Sequence, residues 1–275
     1  MQHKLLAKKI AVLDIETPYI TGDGIGAIDR IYCIAVVMID KGVVGPAKLF
    51  TEYWTPYTDG SLMEAIALVN TADAMSFHNG IGFDLPVIRN VLQAELTPTP
   101  LDTLILSKII FSKDELYEID AKLDLPKELW GSYSLKAFGY RLGEEKIEFD
   151  EFDEGLTEQL ATYCKQDTVV SADLTLFLLD RENYPIDAVV DIEHKAAAII
   201  ALQTDVGFYM DIAKARVLNT VLLKEKHELS RELLEIFSPK WLKDSPIKEY
   251  KKLSTIRKFI PTNQYVDPWK RMNNE

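Results

Sequence analysis

Lys9-Ile10-Ala11-Val12-Leu13-Asp14-Ile15-Glu16 is a continuous apolar run with acids only at its far end. Such a run reads as a strand buried on both faces, with its charge confined to the carboxyl end. Strand residues two apart project from the same face, so Asp14 and Glu16 lie side by side and repel unless a cation sits between them. An isolated pair of this kind is usually a turn cap, so its meaning depends on what the rest of the chain brings to the same edge.

Downstream, a loop carrying Thr17-Pro18 and Gly22, Gly24 and Gly26 precedes a second apolar run, Ile31 to Ile39. After Lys41-Gly42, residues 44 to 52 read as its hairpin partner, so the sheet begins as a meander. Residues 61 to 70 then read as a helix, 73 to 77 as a short strand and 85 to 92 as a helix with Pro86 in its tolerant first turn. This alternation indicates an α/β fold. Helical periodicity dominates afterwards, over 102–111, 133–142, 156–182, 190–205 and 212–236. The polar, proline-bearing break at Arg181-Glu182-Asn183-Tyr184-Pro185 sets a domain boundary, giving domains 1–184 and 185–275. Pro239, Pro246, Pro261 and Pro268 mark an irregular tail from about 238.

Two further clusters join the first. Phe77-His78-Asn79-Gly80-Ile81-Gly82-Phe83-Asp84 follows a strand and precedes a helix. Asp84 there can be a capping acid and His78 a turn histidine, but strand-end loops at the carboxyl edge of a sheet are where α/β sites assemble. Tyr163-Cys164-Lys165-Gln166-Asp167 lies in a helical region, and residues four apart share a helix face, so Tyr163 and Asp167 converge. Four carboxylates turned into one cavity are strongly destabilising without hard divalent cations, and an all-oxygen set suits Mg²⁺ or Mn²⁺ rather than zinc. Two such ions support phosphodiester hydrolysis, with Tyr163 placed to orient the attacking water.

In this ordered set the sequence resembles the tyrosine-bearing branch of the DEDD exonucleases, and specifically the 3′-to-5′ proofreading domain of family A DNA polymerases of the short-tailed-phage type. The likeness extends to 101–107, 131–143 and 190–196 and covers roughly residues 8 to 235. It implies a ribonuclease H-like mixed sheet flanked by helices, followed by a helical extension like the start of a polymerase thumb. It further implies that Asp14 bridges two divalent cations, that Glu16 and Asp167 complete one site, that Asp84 serves the other, and that Tyr163 holds the nucleophile. Thr17, Ile20, Asn79 and Phe83 are the implied substrate contacts. The expected partner is a single-stranded DNA 3′ end or primer terminus. No nucleotide addition is expected of this chain alone, since the polymerase palm and fingers have no counterpart in it. The alternatives are hydrolysis of RNA, or an exonuclease and interaction subunit whose partner is a separate polymerase.

Composition agrees with a globular enzyme. The 275 residues are 47% hydrophobic and 27% charged, with 12 prolines and 13 glycines, which excludes a disordered or fibrous chain. The net charge of −12 argues against broad electrostatic coating of nucleic acid, although residues 236–275 hold nine Lys/Arg against four acids. Cys33 and Cys164 are read as ordinary buried thiols, too few for a disulfide framework. No window of about 18 uncharged apolar residues occurs and the amino terminus runs straight into charge, so no membrane span is expected and the location is expected to be cytoplasmic, that of a host cell if the chain is phage-encoded.

Overall fold

The computed structural model describes residues 3–18, 24–53, 55–123, 125–144 and 155–237. The opening run is β1 (Lys9–Glu16), which pairs antiparallel with β2 (Cys33–Asp40) from Lys9↔Asp40 to Glu16↔Cys33. Lys41 and Gly42 both adopt positive φ, the requirement of a two-residue turn whose twist matches the flanking strands. The single partner strand expected at 44–52 is instead two short ones, β3 (Val43–Val44) and β4 (Lys48–Phe50), each paired with β2. Pro46, which has no N–H to give to a ladder, interrupts them. On its other side β1 pairs parallel with β5 (Ala74–Phe77), and β5 pairs parallel with β6 (Thr99–Asp102). The order β3-β2-β1-β5-β6 makes a mixed sheet, an antiparallel meander joined to parallel strands, as the α/β, ribonuclease H-like expectation requires.

The helices are α1 (Leu62–Val69), α2 (Asp84–Leu92), α3 (Thr103–Ile110), α4 (Lys113–Asp120), α5 (Leu135–Leu142), α6 (Glu158–Leu179), α7 (Asp187–Val206) and α8 (Ile212–Ile236). Sequence reading missed α4 and β6. The first is nucleated by a capping box in which Ser112 and Glu115 each satisfy the other's backbone amide. The second is short and contains Pro100, which disguises a strand.

The two faces of β1 bury different layers. Ala11, Leu13 and Ile15 pack with Leu62 and Ile66 of α1 and with Val87 and Ile88 of α2. Ile10 and Val12 pack with Phe138 of α5 and with Val170, Leu174 and Leu178 of α6. By the two-residue alternation, Asp14 and Glu16 continue the face that meets α6. That helix is pinned to the sheet by the hydrogen bond between Ser76 Oγ and Thr175 Oγ1, 2.7 Å.

The chain divides into two compact units, Met1–Gly207 and Phe208–Glu275. α7 lies in the first unit, where its buried His194 accepts the Asp102 N–H at 2.7 Å. Among the described residues no helix is long and apolar enough to cross a membrane.

Candidate active site

Three segments meet at the carboxyl edge of the sheet. β1 delivers Asp14 and Glu16, both half-buried. Parallel pairing of Val12 with Ser76 carries the chain leaving β5 to the same edge. There it turns through Asn79, in the left-handed region at φ 70°, and Gly80, where a Cβ would lie 2.3 Å from the Phe77 ring. Only glycine fits so close an approach, and asparagine is among the few side chains that tolerate positive φ. The Gly80 carbonyl accepts the Leu85 N–H at 2.9 Å, which starts α2 and presents Asp84 as its first residue. α6 supplies the third segment, beginning at its Thr157 cap and bringing Tyr163 and Asp167 round on one face.

The electrostatics tie these groups together. Burial raises the Tyr163 phenol well above its ordinary range, and the charges of Asp167, Glu16 and Asp14 raise it further. Asp167 also shares a hydrogen bond with that phenol. These influences favour the neutral hydroxyl, which can both donate and accept a hydrogen bond. Asp84 is buried, and burial, helped by the charge of Asp102, pushes it up to about 7 against the opposing pull of its own amide and that of Ile15. The Ile15 amide lies between Asp14 and Glu16, so Asp84 abuts the first acidic pair. Its Oδ1 is buried with no hydrogen-bond partner.

Those observations test the donor set for a cation. A buried carboxylate with an orphan oxygen is costly unless a cation or hydrogen-bond donor completes it. Asp14, Glu16, Asp84 and Asp167 offer only hard oxygen donors, and such a set fits a hard divalent ion. Carboxylate oxygens of Asp14 and Glu16 lie with Sγ of Cys164 inside 4.8 Å of one another. The hydrogen bond with Cys33 and burial push the thiol well up, and it points at the Asp14 carbonyl, 3.7 Å away.

The remaining sequence-derived candidates fall as follows. Thr17 is buried and its hydroxyl donates to the Pro18 carbonyl at 3.2 Å. Asn79 is exposed at the loop apex, and its N–H donates to Asp102. Phe83 is half-buried and packs on the core layer below α2. Ile20 lies outside the described residues, as do the Gly22 part of its loop and the tail from 238. His78 bonds the Thr103 hydroxyl at 2.9 Å.

Against known proteins, the DNA-directed DNA polymerase of Escherichia phage T7 is 30% identical to this chain over 228 residues, covering 67% of the chain and 32% of the polymerase. The same enzyme of Enterobacteria phage T3 is 29% identical over 228 residues with the same coverage. The chain is homologous to these phage DNA polymerases. It spans about a third of their length, and the resemblance to the replicative DNA polymerases of short-tailed phages read from its motifs is borne out by this homology. A solved structure of exonuclease I is similar with a TM-score of 0.40 at 15% identity, covering 67% of this chain and 42% of that one. No family model matches the chain.

Sequence reading missed two features of this polymerase homologue's site. Cys164 is packed against the carbonyl of Asp14, and the only signal was its place beside Tyr163 and three residues before Asp167. Asp102, 1% exposed, accepts three backbone amides beside the Asp84 loop. An acid closing a short strand before a helix looks in sequence like an ordinary cap.

Proposed function

We propose that the chain is a metal-dependent 3′-to-5′ exonuclease of the tyrosine-bearing DEDD type, hydrolysing phosphodiester bonds at the 3′ end of single-stranded or frayed DNA in replication proofreading. The observation that carries this reading is the gathering of Asp84, with its orphan oxygen, and Tyr163 around the Asp14-Glu16 strand end. Asp14, Glu16, Asp84 and Asp167 would hold two divalent cations, Mg²⁺ or Mn²⁺. When bound, such a pair activates a water and offsets the charge that develops on the phosphate. Tyr163, committed as donor to Asp167, turns its remaining lone pair toward the attacking water and fixes its orientation. Thr17, Ile20, Asn79 and Phe83 are the proposed grip on the terminal nucleotides. The domain assignment proposed with this is an exonuclease domain at 1–184 and a thumb-like helical extension at 185–275.

A second reading adds a separate polymerase subunit as partner. It is supported by the homology to polymerases and by the exposure of Val217, Leu218, Val221 and Leu222 on α8. Co-elution with a polymerase chain would support it, and a monomer that ignores one would refute it.

The decisive experiment incubates the chain with 3′-labelled single-stranded and mismatched-duplex DNA, and with matched RNA, in Mg²⁺ or in chelator. Shortening from the labelled end that needs metal and prefers DNA is expected. Asp14→Ala and Asp167→Ala should abolish it with the fold intact, and full activity in either variant refutes the assignment.

A further inference from the structure

Asp102 caps α3, but a cap needs only one hydrogen bond and this carboxylate accepts three. Its Oδ1 takes the Leu104 N–H at 3.0 Å, which is the capping bond, and serine, threonine or asparagine would do as well there. The other two donors come from a different segment. The Asn79 N–H reaches Oδ1 at 3.0 Å and the Ile81 N–H reaches Oδ2 at 3.1 Å. Gly80, between them, provides the carbonyl that accepts from Phe83 and Leu85 and so starts the helix carrying Asp84.

That loop needs an outside restraint. Asn79 sits at positive φ and Gly80 is pressed on the Phe77 ring, conformations that persist only where surroundings over-determine them. The clamp is itself anchored, because the Asp102 N–H donates to His194 Nε2 at 2.7 Å and His194 Nδ1 bonds the Val190 carbonyl at 2.8 Å. Asn at 102 could not reproduce it. An amide has one acceptor oxygen, so its NH₂ would face the Ile81 N–H donor to donor.

We infer that Asp102 is a positioning residue for the proposed reaction: its carboxylate holds the Asn79–Ile81 turn in the one shape that aims Asp84 at a cation. The inference rests on the reading of the four acids as a two-metal site. It concerns one of the two ions, because neither Asp14 nor Asp167 is on the clamped loop. Partners that orient a metal ligand from behind contribute about 10- to 100-fold in affinity.

The test uses the full chain with Mn²⁺ as probe, counting bound ion by electron paramagnetic resonance. The wild type should bind two ions. Asp102→Asn should keep its circular dichroism and one ion at unchanged affinity while the other weakens by about 10- to 100-fold. Its half-saturating Mn²⁺ in DNA digestion should rise by the same factor, with activity recovered at high Mn²⁺, a rescue that a merely structural role would not produce. Asp102→Ser keeps the α3 cap and drops the clamp, and should behave like Asp102→Asn. Two wild-type-like Mn²⁺ sites in either variant overturn the inference, as does failure of both variants to fold, which would make Asp102 structural. A wild type that binds no Mn²⁺ overturns the two-metal reading and this inference with it. One that binds two ions but leaves DNA intact overturns only the substrate.

Discussion

Replacing Tyr163 with phenylalanine separates two roles that a phenol beside carboxylates can play. A proton-transfer group contributes roughly 10²–10⁴ to a rate. Burial and the charges of Asp167, Glu16 and Asp14 hold this phenol protonated far above neutrality, which leaves only hydrogen bonding. The bond to Asp167 exists before and during reaction, so its loss weighs little on the chemical step. The bond to the attacking water is the one that counts, at about 0.5–1.5 kcal/mol if both partners are neutral and up to about 3 kcal/mol if one is charged. Those limits correspond to a decrease of about 2- to 160-fold for Tyr163→Phe. The assay is single-turnover digestion of 3′-labelled DNA at saturating Mg²⁺ from pH 6 to 9. The ratio of wild type to variant should stay constant across that range, since no ionisation of Tyr163 falls within it. Equal rates would refute the orienting role. A ratio that climbs with pH would show a titrating phenol and refute the electrostatic argument.

Two further outcomes test the fold around the site. Asp120 is fully buried against Arg141, with bonds of 2.8 and 2.9 Å, while its Oδ2 also accepts the Gly131 N–H and Arg141 donates to the Ser132 carbonyl. Arg141→Ala strands that carboxylate and should cost about 3–5 kcal/mol, read as a Tm lower by roughly 6–20 °C; an unchanged Tm refutes the buried pair. Burial lowers His194 from its ordinary value, outweighing the Val190 hydrogen bond and nearby acids. The unfolded chain therefore takes up a proton first as pH falls, so this stability is complete above about pH 6.5 and is lost below it toward the folded value. Melts between pH 5 and 8 should show a steeper acid-side decline in wild type than in His194→Gln, and parallel curves would refute the neutral tautomer.

What was legible in the sequence follows from how local each signal is. The bounds of β1 were readable because an apolar run ending in acids leaves no competing period, and Lys41-Gly42 announced its turn through the positive φ that both residues adopt. Tyr163 and Asp167 were readable as a pair because helical spacing alone puts them on one face. α4 left a signal, the Ser112–Glu115 box, that an acidic and weakly apolar segment obscured. The clamp by Asp102 left none, since its meaning lies in amides more than 20 residues away that any sequence would supply. The pairing of Cys164 with Cys33 was hidden for the same reason: strand register and helix docking create it, and neither is written in the spacing of two cysteines.

The site can also be understood as a stretch of core in which carboxylates stand where packing would otherwise put apolar side chains. Along β1 the face toward α6 runs Ile10, Val12, Asp14, Glu16, and along α6 the matching face runs Leu178, Leu174, Val170, Asp167, Tyr163. Strand and helix change from apolar to polar at the same level, and they stay in register because the Ser76–Thr175 bond and the layer below fix the docking. Hydrophobic burial thus holds together acids that repel one another, and the resulting misfit is felt at Asp84, the most buried of the four, whose Oδ1 has no hydrogen-bond partner. In the proposed reaction a cation held at that misfit would bring its own positive charge to the phosphate, which reconciles that reading with a net charge of −12.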